Sequence, residues 1–237
     1  MTKKIFVVGA HSADFVWRAA GTIATITSQG GSASVVALTY GERGESGELW
    51  KEPNQTVENV KRIRHEEAKT AAEAVGADFR GLDLGDYPLN VTEAGIEQLV
   101  GIFQDFQPNI VITHSPIDPF NPDHPVASQM VQKARLLATG AGVASAFKRI
   151  TPPELYFFEP HQPELCDFKP NVFVDITPVM EMKTKAMEAM RAQSYLHQYY
   201  SELASRRATH ARRISGNADI KFAEAHFRTL PWVVASL

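Results

Sequence analysis

The chain has 237 residues, of which 44% are hydrophobic and 22% are charged, and its formal net charge is −3. This ordinary balance gives no reason to expect nucleic acid or an anionic membrane as a partner. The single cysteine, Cys166, excludes an internal disulfide. We expect no signal peptide and no transmembrane segment, and therefore a cytoplasmic protein with one α/β domain over residues 1–237.

Apolar strands alternate with helices along the chain. Short apolar runs predict buried strands at 5–8, 33–38, 79–84 and 108–113, with further strands at 154–158 and 171–176. Periodic segments predict helices at 15–26, 57–75, 92–106, 125–137, 177–193 and 196–213. The alternation predicts an α/β fold with a Rossmann-like, mostly parallel, doubly wound sheet, whose crossovers bring the strand ends to one edge.

Three potential metal ligands follow the ends of predicted strands. His11 and Asp14 come directly after the first strand, and His124 lies in the loop after the fourth. Two imidazoles and one carboxylate are a common ligand set for catalytic Zn²⁺, although other divalent transition metals also accept it. A lone histidine at a strand end is more often structural, but the shared edge favours a metal site. Asp123 could orient an imidazole or contact the substrate.

Two segments resemble motifs of a known family. Ala-His-Ser-Ala-Asp at 10–14 with Gly-Thr-Ile-Ala at 21–24 resembles the first motif of the LmbE-like (PIG-L) zinc deacetylases, A-H-P-D-D-E followed by G-T-x-A. Asn-Pro-Asp-His at 121–124 resembles their second motif, H-P-D-H. Other matching positions are Arg64, Glu67, Gly76 and the segment 222–227. The resemblance implies an LmbE-like fold over nearly the whole chain, with His11, Asp14 and His124 as zinc ligands.

Two departures from the family motifs bear on the reaction. Ala13 stands where the deacetylases carry their general base, and Asn121 stands where they carry a histidine that helps to stabilise the oxyanion. Losing a general base typically costs about 10²–10⁴ in rate, and losing an oxyanion group about 10²–10³. These departures weigh against amide hydrolysis by the family mechanism.

The glycine-rich loop after the second strand, residues 41–50, offers a replacement base. Its glycines let the backbone fold close over a site, and a partly desolvated carboxylate there would have a raised pKa suited to proton transfer. We favour Glu48 as a catalytic residue because Leu49 and Trp50 supply an apolar wall, with Glu45 as the second choice. The alternative interpretation is a solvated charged loop.

The altered first motif and this acidic loop are similar to the hydratase branch of the same superfamily, the 4-oxalomesaconate hydratases of gallate and protocatechuate degradation. The resemblance implies addition of water to a carbon–carbon double bond of an oxo- or enol-tricarboxylate, giving 4-carboxy-4-hydroxy-2-oxoadipate. A small polyanionic carboxylate needs cationic partners, and Arg43 is the first choice, ahead of Arg18 and Arg64. Further candidate substrate contacts are Asn121, Glu45 and His114.

Two alternatives to the hydratase remain open from the sequence. The first is a PIG-L type deacetylase acting on an N-acetyl sugar, which the family majority favours and Ala13 and Asn121 oppose. The second is a metal-binding relative without catalytic activity. The family resemblance also implies a homo-oligomer.

Overall fold

The computed structural model describes residues 2–143 and 147–233, and the rest of the predicted domain 1–237 lies outside the described residues. Within that part, seven strands form one sheet in the order β3-β2-β1-β4-β5-β7-β6. The strands are β1 (Lys4–Gly9), β2 (Ser32–Ala37), β3 (Ala77–Gly81), β4 (Ile110–Thr113), β5 (Glu154–Phe158), β6 (Val172–Asp175) and β7 (Ala223–Phe227). Neighbours from β3 to β5 are parallel, whereas β7 runs antiparallel to β5 and β6.

Helices cover both faces of this sheet. They are α1 (Asp14–Ser28), α2 (Val57–Ala74), α3 (Glu93–Phe106), α4 (Asp123–Leu137), α5 (Met180–Ala189) and α6 (His197–Ser215). Alternate residues of β1 point to opposite faces, as strand geometry requires. Ile5 and Val7 pack in a core with α1, α2 and α5, whereas Phe6 and Val8 pack in a second core with α3 and α4. The prediction of a mostly parallel, doubly wound α/β fold is confirmed.

Local capping explains where two of the helices begin. The side chains of Thr56 and Thr92 accept hydrogen bonds from the backbone N–H groups of Asn59 and Gly95, which satisfies a free donor in the first turn of α2 and α3. Both helices therefore begin close to the residues that the sequence predicts.

Two predicted elements have different bounds in the structure, and one strand lies outside the sequence prediction. The strand predicted at 79–84 lies at Ala77–Gly81, because its residues pair in register with Ala33–Ala37 of β2. The helix predicted at 177–193 consists of α5 with 3₁₀ turns at both ends. Strand β7 was not predicted, since Glu224 and His226 interrupt its apolar pattern.

The carboxyl ends of β1, β2 and β4 bring the loops that carry the predicted site residues to one edge. Gly9 ends β1, and a Cβ atom there would lie 2.8 Å from the Cβ of Asp14, so glycine lets the start of α1 lie directly over the strand end. Among the described residues, no helix is long and apolar enough to cross a membrane.

Candidate metal centre and adjoining cavity

Four side chains from three loops meet at this edge of the sheet. His11, Asp14, Glu45 and His124 each offer a ligand atom, and these atoms all lie within 4.8 Å of one another. The two histidines and Asp14 are buried, and Glu45 is partly exposed. The structure thus brings together the three predicted ligands and adds Glu45 to them.

Each histidine of this cluster is held through one ring nitrogen and leaves the other free. Nε2 of His11 lies 3.3 Å from Oδ2 of Asp123, and Nδ1 of His124 lies 2.8 Å from Oδ2 of Asp118. Within residues 2–143 and 147–233, Nδ1 of His11 and Nε2 of His124 are buried without a hydrogen bond, and Oε1 of Glu45 lies 3.2 Å from Nδ1 of His11. A carboxylate on the outer nitrogen orients a metal-binding imidazole. The two orphaned nitrogens therefore fit a bound divalent metal.

The carboxylate of Asp123 is occupied by hydrogen bonds within the protein and does not line the cavity described below. It accepts hydrogen bonds from the backbone N–H groups of Tyr87 and Leu89, at 2.9 and 2.8 Å, and contacts His11. Burial alone would raise the pKa of Asp123, but His11 and these N–H groups lower it overall. Of the two roles predicted for Asp123, this geometry favours orienting an imidazole.

His114 lies behind Asp14 and does not line the cavity described below. Its Nε2 is 2.9 Å from Oδ2 of Asp14, and its ring stacks on His124 with centroids 3.9 Å apart. Burial, followed by the neighbouring His124, lowers the pKa of His114 to about 3, so that the ring is neutral near pH 7. The position of His114 favours support of Asp14 over the substrate contact expected from the sequence.

A cavity of about 290 Å³ opens beside the cluster. Polar residues of its lining include Arg18, Glu45, Asn121, His161, Gln193 and Tyr200. Sequence reasoning did not assign His161, Gln193 or Tyr200 to a site, because their segments follow β5 and α5 and carry no recognisable motif. The signal that could have indicated them is a polar residue, such as Gln193, at a position that the helical pattern predicts to be buried.

Glu45 lies between the cluster and the cavity. Its Oε1 is 3.2 Å from Nδ1 of His11 and accepts a hydrogen bond of 3.1 Å from Nδ2 of Asn121. Burial alone would raise the pKa of Glu45, but His11 and His124 hold it well below its ordinary value. The raised pKa expected from the sequence for a carboxylate of this loop is therefore wrong for Glu45. Gly41 has a φ of +69° and passes so close that a Cβ there would lie 3.2 Å from the Cβ of Glu45. The loop thus carries one glutamate into the site.

Glu48, the glutamate favoured from the sequence, lies outside this arrangement. Its side chain is 46% exposed and pairs with Lys51 at 2.6 Å. Trp50 is 37% exposed and its indole N–H donates to the backbone oxygen of Glu42. The expected apolar wall beside Glu48 is therefore wrong, and the site geometry favours Glu45.

Arg43 also lies away from the cavity. Its guanidinium donates to the backbone oxygen of Asp86 at 3.3 Å, and the residue is exposed. Arg18 is the arginine that lines the cavity instead. The sequence placed Arg43 near the substrate because it adjoins the acidic loop, but the backbone there turns its side chain outward.

Comparisons with known proteins agree with these features. The family described as GlcNAc-PI de-N-acetylase (PIG-L) matches residues 6–135. A 4-oxalmesaconate hydratase from Pseudomonas putida is 42% identical over 99% of this chain and 92% of its own length. A diacetylchitobiose deacetylase from Thermococcus kodakarensis is 28% identical over 81% of this chain and 70% of its own length.

A solved structure resembles the fold over its full length. The crystal structure of the 4-carboxy-2-hydroxymuconate hydratase from Pseudomonas putida has a TM-score of 0.96 and 42% identity, and the match covers 99% of both chains. The similarity therefore includes every element that forms the candidate metal centre.

Proposed function

We propose an activity for this chain on the premise that it belongs to the PIG-L family, as the match over residues 6–135 and the 42% identical relative show. The chain is a metal-dependent hydratase, a lyase that adds water to the carbon–carbon double bond of an unsaturated tricarboxylate. Its substrate is 4-oxalomesaconate or the enol tautomer 4-carboxy-2-hydroxymuconate, in gallate degradation. Full-length similarity to a Pseudomonas putida hydratase supports this substrate class.

The observation that supports this reaction type is the position of Glu45 near the start of helix α1, which Ala13 precedes. Ala13 is fully buried and has no proton-accepting group where the deacetylases have theirs. Glu45 supplies a carboxylate from a different loop, against His11 and held by Asn121. A carboxylate that reaches the site from another direction suits a different attack, namely water on a carbon–carbon double bond.

The proposed metal ligands are His11, Asp14 and His124, and the proposed metal is Zn²⁺. The donor set and its two orphaned nitrogens support this assignment. A divalent ion held there would polarise a substrate oxygen and lower the pKa of water. Asp118 and Asp123 fix the two imidazoles, and Arg18 holds Oδ1 of Asp14 at 2.6 Å.

Glu45 and His161 are the proposed proton-transfer groups. Glu45 accepts a proton from the attacking water as the oxygen bonds to one carbon of the double bond. His161, an imidazole of the cavity lining that stacks on Tyr199 with centroids 4.3 Å apart, delivers a proton to the other carbon. Together the two proton transfers add one water molecule to the double bond. Proton exchange with solvent then returns Glu45 to the carboxylate and His161 to the imidazolium. Burial and Arg18 lower the pKa of His161, so its protonated form is a stronger acid and also the minor form near pH 7.

The test incubates metal-replete protein with 4-oxalomesaconate and, separately, with an N-acetylglucosaminyl compound. Loss of the conjugated absorbance is expected with the first substrate, and no acetate release with the second. Acetate release without hydration would identify a deacetylase. The absence of both reactions would favour a metal-binding relative without catalytic activity.

A ligand variant tests the metal assignment in the same assay. His124→Ala is expected to lose the metal and the hydratase activity together, because one of three proposed ligands is removed. Unchanged metal stoichiometry in His124→Ala would refute the ligand set. Size-exclusion chromatography of the same samples tests the predicted homo-oligomer.

A further inference from the structure

Three polar side chains of the cavity wall carry hydrogen-bond donors that have no protein partner among the described residues. Arg18, Gln193 and Tyr200 line the cavity and are only 9%, 3% and 3% exposed. Within that part of the chain, Nε of Arg18 is fully buried without a hydrogen bond, which costs free energy. Donors grouped on one cavity wall are suited to a ligand that accepts hydrogen bonds.

The amide of Gln193 has a fixed orientation. Its Oε1 accepts hydrogen bonds from Nη2 of Arg64 at 2.8 Å and from the indole N–H of Trp17 at 3.4 Å. Both neighbours can only donate, so the amide oxygen must face them. The Nε2 group is then the end left to face the cavity, and among the described residues it has no hydrogen-bond partner.

A buried network holds Gln193 in this orientation. Arg64 is fully buried, pairs with Oε2 of Glu67 at 2.9 Å, and also donates to the backbone oxygen of Tyr40. Oε1 of Glu67 accepts the backbone N–H of Ala192 at 3.0 Å, next to Gln193. Arg64 therefore acts as a positioning residue, because its Nε, Nη1 and Nη2 each donate to a group of the protein and its side chain does not contact the cavity.

Arg18 and Tyr200 complete the same wall. Nη1 of Arg18 donates to Asp14, but its Nε is buried and has no hydrogen bond within the described part of the chain. The guanidinium can only donate. Burial raises the pKa of Tyr200, so its phenol keeps the proton and can donate it. Trp17 stacks on Tyr200 with centroids 5.5 Å apart and also donates to Gln193, which joins the donors into one surface.

We propose that Arg18, Gln193 and Tyr200 form a subsite for a carboxylate group that is not bound at the metal centre. The subsite selects ligands with several carboxylates over those with one. A guanidinium with neutral N–H and O–H donors suits the four lone-pair positions of a carboxylate. This inference rests on the proposed function for the identity of the natural substrate, while the binding chemistry stands on the cavity alone.

The test measures dissociation constants of tricarballylate and of butyrate for the metal-replete protein by ligand-observed NMR. Gln193→Glu keeps an oxygen for Arg64 and Trp17 but replaces the donor with a negative charge. Tricarballylate binding is expected to weaken about 10- to 100-fold, since a hydrogen bond to a charged group is lost and repulsion is added. Butyrate binding at the metal centre is expected to change less than twofold.

Arg18→Met removes the charge of the subsite and is expected to weaken tricarballylate binding by a similar or larger factor. Because Arg18 also contacts Asp14, the metal content of this variant is measured first. Arg62→Met, at an exposed arginine of α2, is the matched control and is expected to bind both ligands as the wild type does.

Equal losses for tricarballylate and butyrate, or no loss in either variant, would overturn the subsite. These outcomes are independent of the hydration assay. Selective binding of tricarballylate without hydration of 4-oxalomesaconate would contradict the proposed function and leave the subsite intact.

Discussion

Two buried clusters of polar and ionisable residues lie along helix α1, and they differ in how their charged groups are paired. One is the candidate metal centre. The other, which we call the α1–β7 cluster, consists of Thr22, Lys183, Glu224 and His226. Glu224 accepts hydrogen bonds from the backbone N–H groups of Gly21 and Thr22, at 2.9 and 2.7 Å, and pairs with Lys183 at 2.6 Å.

The difference separates a binding site from a structural ion pair. In the α1–β7 cluster the two charges face each other and Lys183 also donates to the backbone oxygen of Trp17. Its buried atom without a hydrogen bond among the described residues is Nδ1 of His226, on a neutral ring. In the metal centre, the free nitrogens of His11 and His124 face the same small volume as two carboxylates. Charges that satisfy one another hold helices and strands together, whereas unsatisfied atoms directed at one volume indicate a ligand. The predictions below test this distinction.

Glu45→Gln gives the largest expected effect. Loss of a general base lowers turnover by about 10²–10⁴, while the amide is nearly the same size and His11, Asp14 and His124 remain to hold the metal. The measurements are steady-state hydration kinetics and metal content by mass spectrometry.

Glu48→Gln is the matched control for Glu45→Gln, because it removes a glutamate of the same loop. Its side chain pairs with Lys51 at the surface, so turnover within twofold of the wild type is expected. A large loss of turnover in Glu48→Gln with normal turnover in Glu45→Gln would return the base to the residue favoured from the sequence.

Lys183→Met should destabilise the fold and spare the chemistry. Leaving the buried carboxylate of Glu224 without its cation costs about 3–5 kcal/mol of unfolding free energy. Urea denaturation measures this loss, and the folded variant should keep its metal. The double variant Lys183→Met with Glu224→Gln should recover much of the stability, and a double variant as unstable as the single one would contradict the ion-pair interpretation.

His226 should make the protein less stable in acid. Thr22 donates its hydroxyl proton to Glu224, so its oxygen accepts a hydrogen bond from Nε2–H of His226. The lowered pKa of His226 keeps the ring neutral near pH 7. Burial lowers the pKa of His226 to about 4. Below pH 6.5 the unfolded chain takes up a proton that the folded chain does not, so stability falls between pH 6.5 and 4, by about 3 kcal/mol in all.

The comparison that isolates this effect uses His226→Gln, whose amide can donate to Thr22 but does not titrate. The unfolding free energies of both proteins are measured in metal-replete samples from pH 7 to pH 4. The wild type should lose more stability than the variant over this window, and parallel curves would assign the acid sensitivity to other groups.

Apart from the Glu48→Gln control, Asp118→Asn has the smallest expected effect of the series. The amide that replaces the carboxylate would no longer offer a charged partner to Nδ1 of His124, and loss of such a partner typically weakens metal binding by about 10–100-fold. Competition with a chelator measures the affinity. An affinity equal to that of the wild type would show that Asp118 does not orient His124.

The sequence was sufficient for the parts of the site that follow from strand order. His11, Asp14 and His124 come together because β1 and β4 are parallel neighbours. Alternating strands and helices predict that these strands end at the same edge, and the structure adds that they are adjacent. The choice between Glu45 and Glu48 does not follow from the sequence, because side-chain direction within an irregular loop depends on turns such as the one at Gly41, which no periodicity reveals. Gln193 and Tyr200 enter the cavity only through long-range packing of the chain after α5.

Helix α1 sets the spacing of everything described above. Asp14, Arg18 and Thr22 are four residues apart, and they belong to the metal centre, the carboxylate subsite and the α1–β7 cluster in turn. Because each residue of an α-helix turns by about 100°, a single insertion or deletion within α1 would rotate one of these residues away from its partners. Relatives that keep this chemistry should therefore vary in length in their loops and keep the length of this helix constant.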